Sequence, residues 1–136
     1  MQTKQVLVIR RDLKMRRGKE IAQGAHASGM WLSALVTYCV ETQTVPVLSD
    51  VEREWLFGRF TKVVLQTPSY ESLREVWVAA REAGLRVELI TDVGQTEFGG
   101  VPTVTCCAIG PDEVGAIDKT AGPESALALA GKLALY

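Results

Sequence analysis

Lys19 and Asp92 are the two side chains whose surroundings best suit them to chemistry. Lys19 belongs to the run Asp12-Leu13-Lys14-Met15-Arg16-Arg17-Gly18-Lys19-Glu20-Ile21-Ala22-Gln23-Gly24-Ala25-His26-Ala27, which joins an apolar strand-like segment to a long helical pattern. Such a junction lies where α/β proteins place ligands, beyond the carboxyl ends of the strands. The helix N-terminus adds unpaired N–H groups and a partial positive charge, both suited to an anion such as phosphate. Asp92 opens the segment Asp92-Val93-Gly94-Gln95-Thr96-Glu97, directly after another strand-like stretch, and Gly94 permits a tight turn behind it. If the two strands run parallel they end on one edge of the sheet, and the ammonium and the carboxylate share one cleft. The residues alone leave a second reading open, in which Asp92 caps a turn and Lys19 is solvated.

The elements that must position this pair are readable from periodicity. Gln5-Val6-Leu7-Val8-Ile9 is an almost uninterrupted apolar run, which predicts a strand buried on both faces. The helix after it should start near Gly18 and reach about Cys39, with Ile21, Ala25, Ser28, Leu32, Leu35 and Cys39 on one face. Small residues in its first half allow a close approach to the sheet. Ser49 and Glu52 have the spacing of a capping box, which predicts a short helix through about Phe57, ended by Gly58. Residues 62–66 read as a second strand. A helix follows from Tyr70 to Ala83, capped by Ser69 and closed by Gly84, with Leu73, Val76, Trp77, Ala80 and Ala83 inward. Residues 86–91 and 103–109 read as strands three and four, the latter closed by Gly110-Pro111. Short helical pieces are expected within 112–119 and 125–130. The strand–helix–strand units argue for parallel pairing with right-handed crossovers. No helix separates strands three and four, so the last strand can run antiparallel. The expectation is a single α/β domain spanning residues 1–136, with a mixed, mostly parallel four-stranded sheet.

Composition bounds the function classes. A chain of 136 residues, 47% of them apolar, can bury one core. No apolar run reaches the ~18–20 residues of a membrane span, so no membrane partner is expected, and the first residues do not resemble a signal peptide. Three cysteines, two of them adjacent, do not make a disulfide framework and suit a reducing cytosol. Cys106 and Cys107, neighbours in a strand, should face opposite sides and serve as core. The net charge of −1 hides an asymmetry: residues 1–19 carry seven Lys/Arg against Asp12 alone. One end can therefore present a basic patch, or merely a solvated charged loop. Gly18-Lys19 resembles the end of a P-loop, but Leu13 stands where the first glycine belongs and Glu20 replaces Ser/Thr. No G-x-G-x-x-G follows a strand, and no G-x-S-x-G elbow exists. The single histidine, His26, lies inside the first helix, where a structural hydrogen bond is the expected role. One histidine and no C-x-x-C pair argue against structural zinc.

Taken in order, several segments resemble the type 2 peptidyl-tRNA hydrolases, the archaeal and eukaryotic kind. They are Val6 through Met15, then Gly18-Lys19 with Ala22-Gln23 and His26-Ala27, Lys62-Val63-Val64-Leu65, and Ala83-Gly84-Leu85. Asp92-Val93-Gly94 with Thr96 is similar to the family's D-A-G-x-T segment. Thr105, Ala108-Ile109-Gly110-Pro111 and Ile117-Asp118-Lys119 match its end. The resemblance covers roughly residues 5–119. It implies a three-layer α/β/α sandwich, a cytoplasmic enzyme that needs no metal or organic cofactor, peptidyl-tRNA as substrate, and often a homodimer.

The resemblance assigns the site to Lys19, Gln23, Asp92 and Thr96. Hydrolysis of the ester between a peptide and the 3′-ribose of tRNA needs a positioned water, removal of its proton, and stabilisation of the oxyanion. Asp92 is suited to the water and Lys19 to the charge, although the two assignments can be exchanged. Gln23 and Thr96 would hold the water, the ribose hydroxyl or the carbonyl. Arg10, Arg11, Lys14, Arg16 and Arg17 would meet tRNA phosphates. Three departures stand out: Gln95 where the family usually has Arg, a longer connector over 40–61, and an atypical segment over 120–136. They leave room for a non-catalytic member that binds RNA or protein, or for hydrolysis of another acyl ester or amide.

Overall fold

The computed structural model describes residues 1–94 and 97–136. Strand β1 (Thr3–Arg10) is followed by the long helix α1 (Arg17–Thr42), α2 (Asp50–Phe57), β2 (Lys62–Thr67), α3 (Tyr70–Glu82), β3 (Val87–Asp92) and β4 (Thr103–Glu113). Then come α4 (Val114–Ala121), α5 (Ala126–Leu129) and the two-residue β5 (Ala134–Leu135). The α/β class holds, but the sheet has five strands, in the order β3-β4-β1-β2-β5. The expectation of mostly parallel pairing is overturned. Only β1 and β2 pair in parallel; β1–β4, β3–β4 and β2–β5 are antiparallel. The physical reason is the connection: with no helix between β3 and β4, β4 turns back and slots between β3 and β1. β5 is too short to show any period.

The local signals mostly act as their chemistry demands. Ser49 and Glu52 close both halves of a capping box on α2. The Ser69 hydroxyl accepts the Ser72 N–H at the start of α3. Gly84, at φ 79°, ends α3 while the Leu85 N–H bonds back to the Ala80 carbonyl. β4 runs past Gly110-Pro111 instead of stopping there. One extra residue on β4 opposite Lys4–Val6 makes a bulge, with Gly110 at φ 90°, so the proline falls where pairing is already interrupted.

The two faces of the sheet carry separate cores. On one, Val6, Val8, Cys107 and Ile109 pack with Leu73, Val76, Trp77 and Ala80 of α3 and Ile117 of α4. On the other, Leu7, Ile9, Cys106 and Ala108 pack with Ala27 of α1 and Met15. Cys106 and Cys107 thus face opposite sides, as alternation requires, and all three cysteines are free. The inward face of α1 differs from the expected one. Glu20, Gln23, Gly24, Ala27, Trp31 and Cys39 are buried, whereas Ile21 and Ala25 line an open apolar groove of about 690 Å³. The periodicity was misleading because α1 turns polar side chains inward and finds partners for them. His26 is exposed and makes no side-chain hydrogen bond among the described residues, so its expected structural bond is absent.

Candidate active site

β1 and β3 run in the same direction because each is antiparallel to β4, which lies between them. Their carboxyl ends therefore share an edge. The chain leaving β1 turns into α1 there, and β3 ends there at Asp92. This topology brings Lys19 and Asp92 together across 73 positions of sequence, with Lys19 Nζ 2.7 Å from Asp92 Oδ2.

Asp92 is held from three directions. Its Oδ2 accepts from Lys19 Nζ at 2.7 Å and from Gln23 Nε2 at 3.1 Å. Its Oδ1 accepts the Gly94 N–H at 2.8 Å. Gly94 has φ 84°, and a Cβ there would lie 2.4 Å from the Val101 carbonyl oxygen, so only glycine fits. Lys19, then the Gly94 amide, hold the Asp92 carboxyl below the usual carboxylate range against the opposing pull of desolvation. The carboxylate is ionised at neutral pH. The Lys19 and Asp92 side chains keep 15% and 12% of their surface, so the pair is shielded yet reachable.

Gln23 is oriented in turn. Its Oε1 accepts from Thr105 Oγ1 at 2.5 Å, which leaves its amide nitrogen pointing at Asp92. Thr105 is the extra residue of a second bulge: Ile90 pairs with Cys106 while Thr91 pairs with Val104. Bulges re-aim side chains beside functional sites. The chain Thr105–Gln23–Asp92–Lys19 is thus one hydrogen-bonded network anchored in the sheet. The sequence marks Thr105 in two ways, as a match to the family pattern and as a hydroxyl inside the otherwise apolar run 104–109, but neither shows its reach to Gln23.

The first turn of α1 has no side-chain cap of its own. Glu97 supplies one from afar: Oε2 accepts the Arg16 N–H at 3.3 Å and Oε1 accepts from Arg16 Nε at 2.7 Å. These Arg16 contacts hold the Glu97 carboxyl below its usual range. Phe98, beside it, lies under Lys19, with the ammonium 5.8 Å from the ring centre.

The structure brings Lys19, Gln23 and Asp92 into one cluster; Thr96 and Gln95 lie outside the described residues. The basic residues divide. Lys14, Arg16 and Arg17 are exposed, and Arg11 keeps 44% of its side-chain surface. Arg10 is mostly covered and donates to the Val104 carbonyl and to both Asp12 oxygens. Burial pushes the Cys106 thiol up to about 11 and the Cys107 thiol higher still, so neither is a nucleophile at neutral pH. Among the described residues no group of three His, Cys, Asp or Glu side chains is gathered to hold a metal.

Comparison with known proteins then yields a consistent set. A family model described as "Peptidyl-tRNA hydrolase PTH2" matches residues 3–123. A protein named peptidyl-tRNA hydrolase from Methanothermobacter thermautotrophicus is 36% identical over 119 residues, covering 88% of this chain and 95% of that protein. Another of the same name from Methanopyrus kandleri is 42% identical over 120 residues, covering 88% and 93%. Among solved structures, a protein of unknown function from Agrobacterium tumefaciens str. C58 superposes with a TM-score of 0.54 at 15% identity, covering 100% of this chain and 98% of that one, which supports the fold alone.

Proposed function

We infer the reaction from family membership: this chain belongs to the peptidyl-tRNA hydrolase PTH2 family. It hydrolyses the ester that joins a peptide, or an N-blocked amino acid, to the 3′-ribose of tRNA. The observation that carries this reading is the Lys19–Asp92–Gln23 cluster at the shared carboxyl edge of β1 and β3.

The chemistry follows from the cluster. Water adds to the ester carbonyl, the carbonyl oxygen takes up negative charge, and the C–O bond to ribose then breaks. Asp92, ionised and held in place, accepts a hydrogen bond from the attacking water and draws off its proton as the new C–O bond forms. The Lys19 ammonium, fixed by its pair with Asp92, stabilises the oxyanion, a term commonly worth ~10²–10³ in rate. Gln23, aligned by Thr105, keeps Asp92 from rotating. On the family's pattern alone, Thr96 is proposed to hold the water or the ribose hydroxyl. Asp92 then gives the water's proton to the departing ribose oxygen, so the products are a peptide carboxylate, the proton lost as that acid ionises, and tRNA with its 3′-terminal hydroxyl restored.

The basic residues Arg11, Lys14, Arg16 and Arg17 are proposed to meet tRNA phosphates around the positive end of α1. Arg10 is proposed to contribute to that field while it braces Asp12 and Val104. No described helix is long and apolar enough to cross a membrane, and the free cysteines suit our proposal of a cytoplasmic enzyme. A homodimer is proposed on the resemblance alone; sedimentation velocity tests it.

The test of the reaction is release of free tRNA from an N-acetyl-aminoacyl-tRNA in EDTA. The wild type should cleave it. Absence of cleavage by a protein that still binds the substrate would turn the assignment into one of RNA binding.

A further inference from the structure

We propose that Tyr136 is a positioning residue that sets Arg11 for a tRNA phosphate, an inference that rests on the substrate reading above. The observation is a three-membered contact outside the Lys19–Asp92 network. β5 fixes the backbone of residues 134–136 on the sheet: Ala134 and Leu135 pair with Gln66 and Leu65, and the Tyr136 N–H donates to the Val64 carbonyl at 3.1 Å. Gln66 Nε2 adds a bond to the Leu135 carbonyl at 2.9 Å. So held, the Tyr136 ring lies under the Arg11 guanidinium, 4.4 Å from Cζ to the ring centre. The Tyr136 hydroxyl donates to Glu20 Oε2. Glu20, buried in the first turn of α1, faces Arg11 Nε through its other oxygen at 3.6 Å, an ion-pair distance too long for a hydrogen bond.

The division of labour gives the arrangement its sense. A buried carboxylate needs a donor, and the phenol supplies one, so Glu20 does not have to draw Arg11 in. The guanidinium stays stacked on the ring. Its two terminal nitrogens make no hydrogen bond among the described residues. A stacked guanidinium with both terminal nitrogens unengaged is the geometry that binds phosphate bidentately. Arg10 offers no such fork, because its guanidinium is spent on Asp12 and Val104; Arg16, tied to Glu97 through Nε, has no ring beneath it among the described residues. Without the phenol, the nearest cation to satisfy Glu20 is Arg11, and the phosphate would lose it.

The test is a double-mutant cycle read by titration with deacylated tRNA and by KM against kcat. Tyr136→Phe, which keeps the ring and removes the donor, should weaken tRNA binding about fivefold, the scale of one hydrogen bond, with the change in KM rather than kcat. Arg11→Ala should weaken it too and flatten the dependence of log Kd on log salt by about 0.7–0.9. In the Arg11→Ala background, Tyr136→Phe should change nothing beyond the roughly twofold scatter of uncoupled sites. Glu20→Gln, which keeps hydrogen bonding to Tyr136 but removes the charge that competes for Arg11, should tighten binding. A Tyr136→Phe effect of equal size in both backgrounds, or one confined to kcat, overturns the inference while leaving the hydrolase reading intact. A wild type that neither binds nor cleaves the tRNA overturns both.

Discussion

The two faces of the sheet are built on different principles. The face under α3 and α4 is mainly apolar: Leu73, Val76, Ala80, Ile109 and Ile117 are all but inaccessible, with only Thr67, Ser72 and Ser125 as buried polar residues among those described. The face under α1 buries Gln5, Glu20, Gln23 and Thr105 beside a smaller apolar cluster. Every one of those polar groups is partnered: Gln5 with Ser28, Gln23 with Thr105 and Asp92, Glu20 with Tyr136 and Arg11. A polar core is worth little for stability unless each member is satisfied. It does fix side chains in one arrangement. The α1 face mixes apolar burial, in which Trp31 packs on Trp55 of α2 with ring centres 6.2 Å apart, with polar groups that hold a carboxylate and an ammonium in register.

Substitutions should separate the two faces, the largest effects coming first. Asp92→Asn and Lys19→Ala should each lower kcat/KM by ~10²–10³ or more while thermal unfolding stays cooperative. Inactivation that simply tracks loss of fold would erase the contrast. Leu73→Ala should do the reverse. It should cost ~2–5 kcal/mol of stability in a denaturant titration, with kcat per folded molecule preserved. Thr105→Val comes next. It leaves the bulge and the methyl but removes the donor to Gln23, and should lower kcat about tenfold, equivalent to ~1.4 kcal/mol, with a smaller change in KM.

The smallest effect concerns pH. Lys19 and the Gly94 amide depress the Asp92 carboxyl in the folded state. Its contribution to stability is therefore fully present above the ordinary carboxylate range and is lost as pH falls through the lower folded value. The acid limb of kcat/KM, which reports the free enzyme, should lie below the ordinary carboxylate range for the same reason. In Asp92→Asn the acid side of the stability profile should be flatter. An acid limb at or above the ordinary aspartate value would mean that Lys19 does not face Asp92 in solution.

Much of the α3 face was legible in the sequence, because its signals are local. The period of Leu73, Val76, Trp77 and Ala80 and the caps Ser69 and Gly84 each act within one or two helical turns, as does the Ser49–Glu52 box on α2 across the sheet. The convergence of Lys19 and Asp92 was also legible, though the route differed. The two strands are co-directional through an antiparallel β4 between them, not through direct parallel pairing. The rest of the α1 face was not legible, because its contacts join distant residues. Thr105 reaches Gln23 across 82 positions, Glu97 reaches Arg16 across 81, and Tyr136 reaches Glu20 across 116. No propensity or period marks such pairs. The apolar pattern of α1 pointed the wrong way, since Ile21 and Ala25 face a groove while Glu20 and Gln23 go inward.

The most direct measurement is a double-mutant cycle of kcat/KM on N-acetyl-aminoacyl-tRNA with Lys19→Ala, Asp92→Asn and the double variant. Groups that act as one unit are strongly non-additive. The double variant should then be no slower than the slower single one. Fully additive losses, or single variants that cleave at the wild-type rate, would contradict an ammonium and a carboxylate working together in one cluster.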